Sequence, residues 1–236
     1  MNASSAAPLA KPLSSMAGFD PRDVPVAQVD SHLPAVPLQA LSPMALRQRF
    51  AQALVWTPEV LLEKPYMNRP SAQAAVLVGI VMRDEPAVLL TERTAHLSTH
   101  SGQVAFPGGR VDPEDGSAAH TALREAWEEV GLAAEHVEVL GTLPTYVTGS
   151  SFVVSPVVGL VAPQAPLTPN PDEVADVFEV PLAFLMNPAN HRHHVFESEG
   201  ISRQWFSMPY QDGDVTRFIW GATAGMLRNF YRFLSA

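Results

Sequence analysis

Residues 117–131, SAAHTALREAWEEVG, constrain this chain more than any other segment, because they carry two incompatible-looking faces at helical spacing. Ala119, Ala122, Leu123, Ala126 and Val130 recur in a helical pattern and make one apolar stripe. Glu125, Glu128 and Glu129 stand at i, i+3 and i+4, so their carboxylates project together from an adjacent face. As helix design that face is poor. Like charges at these spacings repel by a few tenths of a kcal/mol, roughly. The carboxylates also lie in the last two turns, where the helix dipole disfavours negative charge. A divalent cation would reverse both penalties, and grouped oxygen ligands suit Mg²⁺ or Mn²⁺. Three glutamates alone are most often a solvated acidic face. Their neighbours alter that reading, because Phe106-Pro107-Gly108-Gly109 precedes the helix and Gly131-Leu132 closes it. Small residues there let backbone approach a phosphate closely.

The rest of the chain supplies strands. Residues 74–82, AAVLVGIVM, form a near-continuous apolar run of buried-strand length. Arg83-Asp84-Glu85-Pro86 makes a turn, and residues 87–91 return as the second strand of a hairpin. Residues 137–143, 152–161 and 174–181 read as further strands, and residues 217–234 as a helix carrying Phe218, Trp220, Met226, Leu227 and Phe230 toward a core. Strands before, between and after two helices imply a mixed α/β layered domain over residues 73–236. Residues 43–72 hold a short helix, with Ser42 as its N-cap and Leu46, Phe50 and Leu54 on one face, followed by a linker. Residues 1–42, rich in Ala, Pro and Ser, read as a flexible arm or irregular wrap, and removing residues 1–40 is expected to leave activity in place.

A hydrophobic fraction of 47% over 236 residues suffices for one large domain, and it argues against a disordered chain. The net charge of −9 argues against broad attachment to nucleic acid or acidic membranes, though not against a small polyanion held through metal. The absence of cysteine rules out disulfides and thiolate chemistry and is compatible with the cytoplasm, where this chain is expected. No leader and no membrane-spanning apolar stretch is apparent.

Residues 108–132, GGRVDPEDGSAAHTALREAWEEVGL, resemble the Nudix box, whose usual form is GX5EX7REUXEEXGU with U a bulky aliphatic residue. Arg124-Glu125, Glu128-Glu129, Gly131 and Leu132 match its second half in register. Ala126 is smaller than usual, and the first half is one residue longer. Gly116 falls where an acidic residue is normal, so neither Glu114 nor Asp115 is assigned that role. The resemblance implies the α/β fold class, as a Nudix-type α/β/α sandwich with a mixed β-sheet plus an N-terminal extension. It also implies metal-dependent hydrolysis of a small-molecule diphosphate. Glu125, Glu128 and Glu129 would hold Mg²⁺ or Mn²⁺, and Arg124 would position a glutamate or a loop carbonyl. Glu128 and Glu173 are the candidates for the general base.

Residues 89–109, LLTERTAHLSTHSGQVAFPGG, are similar to the signature of the coenzyme A diphosphatase branch, roughly LLTXR, a spacer and GXXXFPGG. Asp112-Pro113 after the glycines looks like that branch too, and the similarity extends over residues 74–234. It implies hydrolysis of coenzyme A to 3′,5′-ADP and 4′-phosphopantetheine, with Arg93, Gly108 and Gly109 against the substrate. Ser98 stands where the branch usually has an arginine that grips phosphate, and His96 or His100 could compensate. ADP-ribose, NADH or another nucleoside diphosphate derivative is the alternative substrate, and a non-catalytic nucleotide-binding module the more distant one. A homodimer is compatible with all of these. The run His191-Arg192-His193-His194 lacks acidic or cysteine partners at a recognised spacing and reads as a solvated loop or strand. Trp205, Phe206 and Trp220 read as core aromatics ahead of an adenine platform.

Overall fold

The apolar run after residue 71 becomes a strand covered on both faces, and the molecule is built outward from it. The computed structural model describes residues 19–65, 70–94, 102–198 and 201–236. Ser98, His96 and His100 therefore lie outside the described residues. In chain order the elements are β1 (Val26–Val29), α1 (Pro43–Ala51), β2 (Ala72–Val81), β3 (Ala87–Arg93), β4 (Val104–Ala105) and β5 (Gly108–Arg110). They continue with α2 (Ala118–Val130), β6 (Val137–Thr142), β7 (Tyr146–Val147), β8 (Phe152–Val161) and β9 (Val174–Pro181). The last are α3 (Leu182–Leu185), β10 (Arg192–Ser198), β11 (Ile201–Asp212), β12 (Val215–Trp220) and α4 (Gly221–Ser235).

β2 pairs in parallel with β8 along its whole length, from Ala72 against Phe152 to Val81 against Val161. Parallel central strands are buried on both sides, which explains two unbroken apolar runs in the sequence. One side of β2, with Ala75, Leu77 and Val81, packs against Ala122, Ala126 and Val130 of α2. The other, with Ala74, Val78 and Ile80, shares a core with Leu227, Phe230 and Tyr231 of α4. The main sheet runs β4-β3-β2-β8-β6, with β5 on β2, β7 on β8 and β9 on β3. This is the expected α/β/α sandwich with a mixed sheet. Among the described residues no helix is long and apolar enough to cross a membrane.

Three parts differ from the sequence reading. Residues 217–220 are the end of strand β12, and the helix starts only at Gly221, whose φ of 61° breaks the chain direction. A short apolar run such as RFIW fits either period, so spacing alone could not separate strand from helix. Second, a four-stranded antiparallel sheet, β1-β10-β11-β12, was not foreseen. Its signal is Gly213-Asp214, a two-residue hairpin loop between the paired Asp212 and Val215, and Gly213 adopts a φ of 57°. Third, of the two readings of the N-terminal segment, residues 19–42 follow the irregular wrap and not the flexible arm. β1 pairs with β10, Val24, Val36 and Leu41 are buried, and the Tyr231 hydroxyl donates to the carbonyl of Pro34.

Asp30 explains why this segment is bound so firmly. It is buried, as is Arg228 of α4, whose Nη2 lies 2.9 Å from the Asp30 carboxylate. Arg228 also donates to Glu59 at 2.7 Å and to His191 Nδ1 at 3.0 Å. The histidine run is thus not solvated. His191 and His194 are buried, His193 bonds Asp30 at 2.7 Å, and His194 bonds Ser207 at 2.8 Å. Burial holds His191 at a pKa of about 4, so it is the neutral partner of Arg228. Helix α1 behaves as foreseen at its start, where Ser42 Oγ accepts from the amide of Ala45. It ends at Ala51, short of Leu54.

Replacing Asp30 with asparagine leaves a buried guanidinium short of one counter-charge. The expected cost is about 3 kcal/mol, seen as a Tm lower by about 6 to 12 °C. An unchanged Tm would return residues 19–42 to the status of an appendage.

Candidate active site

Helix α2 is fixed at both ends by local chemistry. Ser117 accepts from the amide of His120 at 3.1 Å as the N-cap, and Gly131 takes the left-handed conformation at φ 67° to end the helix. Its apolar stripe lies on β2 and β8, and this turns the carboxylates toward β5 and the end of β3.

Glu129 is the most buried of them, with 4% of its side chain exposed. Its Oε2 accepts from the Gly108 amide at 3.2 Å, and Arg93 Nη1 lies 3.4 Å from its Oε1. Burial drives its pKa up to about 7, against the opposing pull of the Gly108 N–H and Arg93. Burial also raises Glu125, and the charges of Glu128 and Glu173 add to the shift. Glu173 acts on Glu129 in the same direction, so the four carboxylates share one field. Glu173 reaches this place because the Thr94 amide donates to its carbonyl, while Asn170 Nδ2 lies 3.4 Å from its carboxylate.

The two glycines have separate jobs. A Cβ on Gly109 would sit 2.4 Å from Glu125 Oε1, so the absent side chain is the space that the carboxylate occupies. A Cβ on Gly108 would meet backbone, 2.5 Å from the Ala75 carbonyl oxygen and 2.6 Å from Val76 Cα. Gly108 therefore serves strand pairing, and Gly109 serves the site.

Arg124 organises the periphery. Its Nη1 donates to Glu125 and to Glu128, both at 3.0 Å, and its Nη2 donates to the Arg110 carbonyl at 2.9 Å. Nε and Nη2 also grip Asp115 at 3.2 and 2.9 Å. Asp115 has 1% of its side chain exposed, and it also accepts from Thr121 and the Asp112 amide. The guanidinium and these donors hold its carboxyl far below the usual range. Sequence spacing left Asp115 unassigned because Gly116 occupied the expected register.

Among the described residues no group of three carboxylates or imidazoles stands as a preformed metal cage. Arg124 holds Glu125 and Glu128 from a single nitrogen, which explains the open arrangement. The donor set nevertheless suits a hard divalent cation. It offers oxygen only, it crowds like charges where burial penalises them, and Arg93 Nε is buried beside it without a hydrogen-bond partner among the described residues. A cavity of about 520 Å³ lined by Phe50, Trp56, Leu140 and Phe233 lies elsewhere, since none of these carboxylates borders it. The aromatic residues of the second sheet pack together: Trp205 meets Trp220 edge-on at 6.0 Å and Phe19 at 6.2 Å, and Phe206 is buried.

Residues 73–199 match the family model described as the NUDIX domain. The "Uncharacterized Nudix hydrolase NudL" of Yersinia pestis (strain Pestoides F) is 41% identical over 187 residues, spanning 79% of this chain and 92% of that protein. The protein of the same name from Yersinia pseudotuberculosis (serotype O:1b) has the same values of 41%, 79% and 92%. Among solved structures, a C. elegans Ap4A hydrolase aligns with a TM-score of 0.41 and 21% identity, over 50% of this chain and 85% of that one.

Two outcomes test this geometry. Gly109→Ala displaces only the mobile end of Glu125, so the variant is expected to keep a near-native Tm and lose Mn²⁺ affinity by tenfold or more. Gly108→Ala strikes backbone and is expected to cost about 1–3 kcal/mol of stability. The reverse pattern in calorimetry and metal titration would overturn the assignment. The second outcome concerns Glu129 in chelator. Its folded pKa lies above its unfolded value, so its contribution is full below about 4.5 and is lost as pH rises through about 7. Relative to the native chain, metal-free Glu129→Gln should therefore gain about 2 kcal/mol between pH 5 and pH 8 in urea unfolding. A pH-independent difference would show that Glu129 is not raised.

Proposed function

We propose, from the premise that this chain belongs to the NUDIX family of hydrolases and acts on diphosphate bonds, that its substrate is coenzyme A or an acyl derivative. What supports the diphosphate centre is Glu129, buried between the Gly108 amide and Arg93 and acted on by the charges of Glu125 and Glu173. What supports coenzyme A is the segment from Leu89-Leu90-Thr91-Glu92-Arg93 through Gly102 to Phe106-Pro107-Gly108-Gly109.

Glu125, Glu128 and Glu129 would hold the divalent cation, Mg²⁺ or Mn²⁺. When bound, that cation supplies charge neutralisation of the diphosphate oxygens and polarisation of phosphorus. The chain's own groups do the rest. Gly109 leaves the space in which the Glu125 carboxylate sits, Gly108 gives its amide to Glu129, and Arg93 offers an Nε that has no partner among the described residues. Arg124, anchored on Asp115, holds Glu125 and Glu128 in place. Glu173 lies in the same field as Glu125 and Glu129, and it accepts the proton of the attacking water as the general base. Glu128 is the competing base, but it is tethered to Arg124 at 3.0 Å. Water oxygen bonds to one phosphorus, the anhydride P–O bond breaks, and the second phosphate leaves as a monoester. For coenzyme A the products are 3′,5′-ADP and 4′-phosphopantetheine.

Activity is expected to need divalent cation, to vanish with chelator, and to fall by about a hundredfold or more in folded Glu129→Gln. The substrate is tested by specificity constants for coenzyme A, ADP-ribose and NADH with Mg²⁺ and Mn²⁺, products identified by mass. Coenzyme A should lead. A tenfold preference for ADP-ribose or NADH, about 1.4 kcal/mol in the transition state, refutes that choice while leaving the diphosphatase. Ser98→Arg, which restores the basic residue of the branch, should lower KM for coenzyme A more than for its dephospho form.

A further inference from the structure

Arg217 stands at the last regular rung between β3 and β9, just before the chain turns into the carboxylate site. Glu92 and Asp176 face each other across that rung. Two carboxylates directly opposite on a ladder repel. Arg217, on β12 of the second sheet, reaches between them, with Nη1 at 3.0 Å from Glu92 and Nη2 at 2.5 Å from Asp176. Its Nε meets Asp212 at 3.1 Å, and its guanidinium lies over the Phe178 ring at 4.2 Å. Only 10% of the side chain is exposed, whereas its acidic partners are 37%, 48% and 41% exposed.

The register breaks at the next residue. Arg93 pairs with Val174, and Ala175 is left over as a bulge. Strand alternation shows what the bulge does. Leu90 of β3, along with Phe178 and Val180 of β9, belongs to the core shared with α4, and Glu92 and Asp176 continue those positions in register. Val174, an even-numbered residue like those of β9, lies instead in the core beneath α2. The extra residue has switched β9 to the carboxylate side. On that side Arg93 meets Glu129 at 3.4 Å, and the Thr94 amide holds the carbonyl of Glu173 at 3.0 Å.

We infer that Arg217 is a positioning residue for the reaction: by clamping the Glu92–Asp176 rung from the second sheet, it holds the β9 bulge that brings Glu173 alongside Arg93 at the α2 carboxylates. It touches neither substrate nor reacting atoms. The second sheet, most of which follows residue 199 and so lies beyond the part of the chain matched by the family model, thereby takes part in the site. This inference rests on the diphosphatase reading of the carboxylate cluster.

The test uses the full chain and whichever diphosphate it hydrolyses best. Arg217→Met is expected to lower kcat/KM by tenfold or more. Amide exchange measured by NMR should rise at least tenfold at Thr94 and stay within twofold at Val88, five rungs before the bulge. A structural role alone would raise both. Adding Glu92→Gln and Asp176→Asn to Arg217→Met removes the repulsion without restoring the cation, and should recover kcat/KM to within about threefold of the native chain. If Arg217→Met does not fold, that triple variant carries the test by the same measure. Arg217→Met within twofold of native kcat/KM, equal changes at Thr94 and Val88, or a triple variant as impaired as or worse than Arg217→Met would each overturn the inference. A native chain that hydrolyses no diphosphate would refute the functional reading instead, and leave the exchange measurement to decide the clamp.

Discussion

The parallel register of β2 on β8 is the constraint on which everything else hangs. Ten consecutive pairs leave two apolar faces that both need cover, and α2 and α4 supply it from opposite sides. Because β2 is longer than the β3 hairpin needs, its first half is free to take β5 as a second partner, at Ala74, Ala75 and Val76. That sharing of one strand brings Gly108 and Gly109 under helix α2. The close approach of strand to helix is possible only without side chains, since the volume of a Cβ at position 109 is already filled by Glu125.

Electrostatics then follow from burial. α2 carries more acid than its surroundings can comfortably desolvate, and Glu129 responds with a pKa near that of neutral solution, at about 7. Arg124 offsets part of this on the exposed side by spanning Asp115, Glu125 and Glu128. On the buried side, among the described residues, Glu129 meets Arg93 and one backbone amide. The imbalance is a stored demand for positive charge, which is the condition a divalent cation and an anionic substrate satisfy together. The opposite arrangement holds at Arg228, where a buried cation has Asp30 and Glu59 close by and a neutral His191 completing its contacts. One network has its charges matched; the other, among the described residues, is left with carboxylates in excess.

Local information made some of this visible in the chain itself. The limits of α2 follow from Ser117 and Gly131, and its two faces follow from spacing within thirteen residues. β8 and β9 could be delimited because apolar runs end at charged or proline-rich turns. The match of Arg124, Glu125, Glu128 and Glu129 to a known box needed only their order. Asp115 escaped because its partner Arg124 is chosen by how the loop folds back onto α2, which spacing along the chain does not show.

What the sequence determined by itself is therefore the set of interactions between near neighbours: helix caps, strand runs, and a triad of carboxylates on one helix face. What only tertiary structure decided are the pairings across long separations. Asp30 meets Arg228 and His193, Glu173 reaches the field of Glu125 and Glu129, and Arg217 bridges Glu92 and Asp176. The cause is physical. A charged residue in a polar stretch reads as solvated until its partner is known, and that partner is chosen by how sheets and helices pack, not by spacing along the chain.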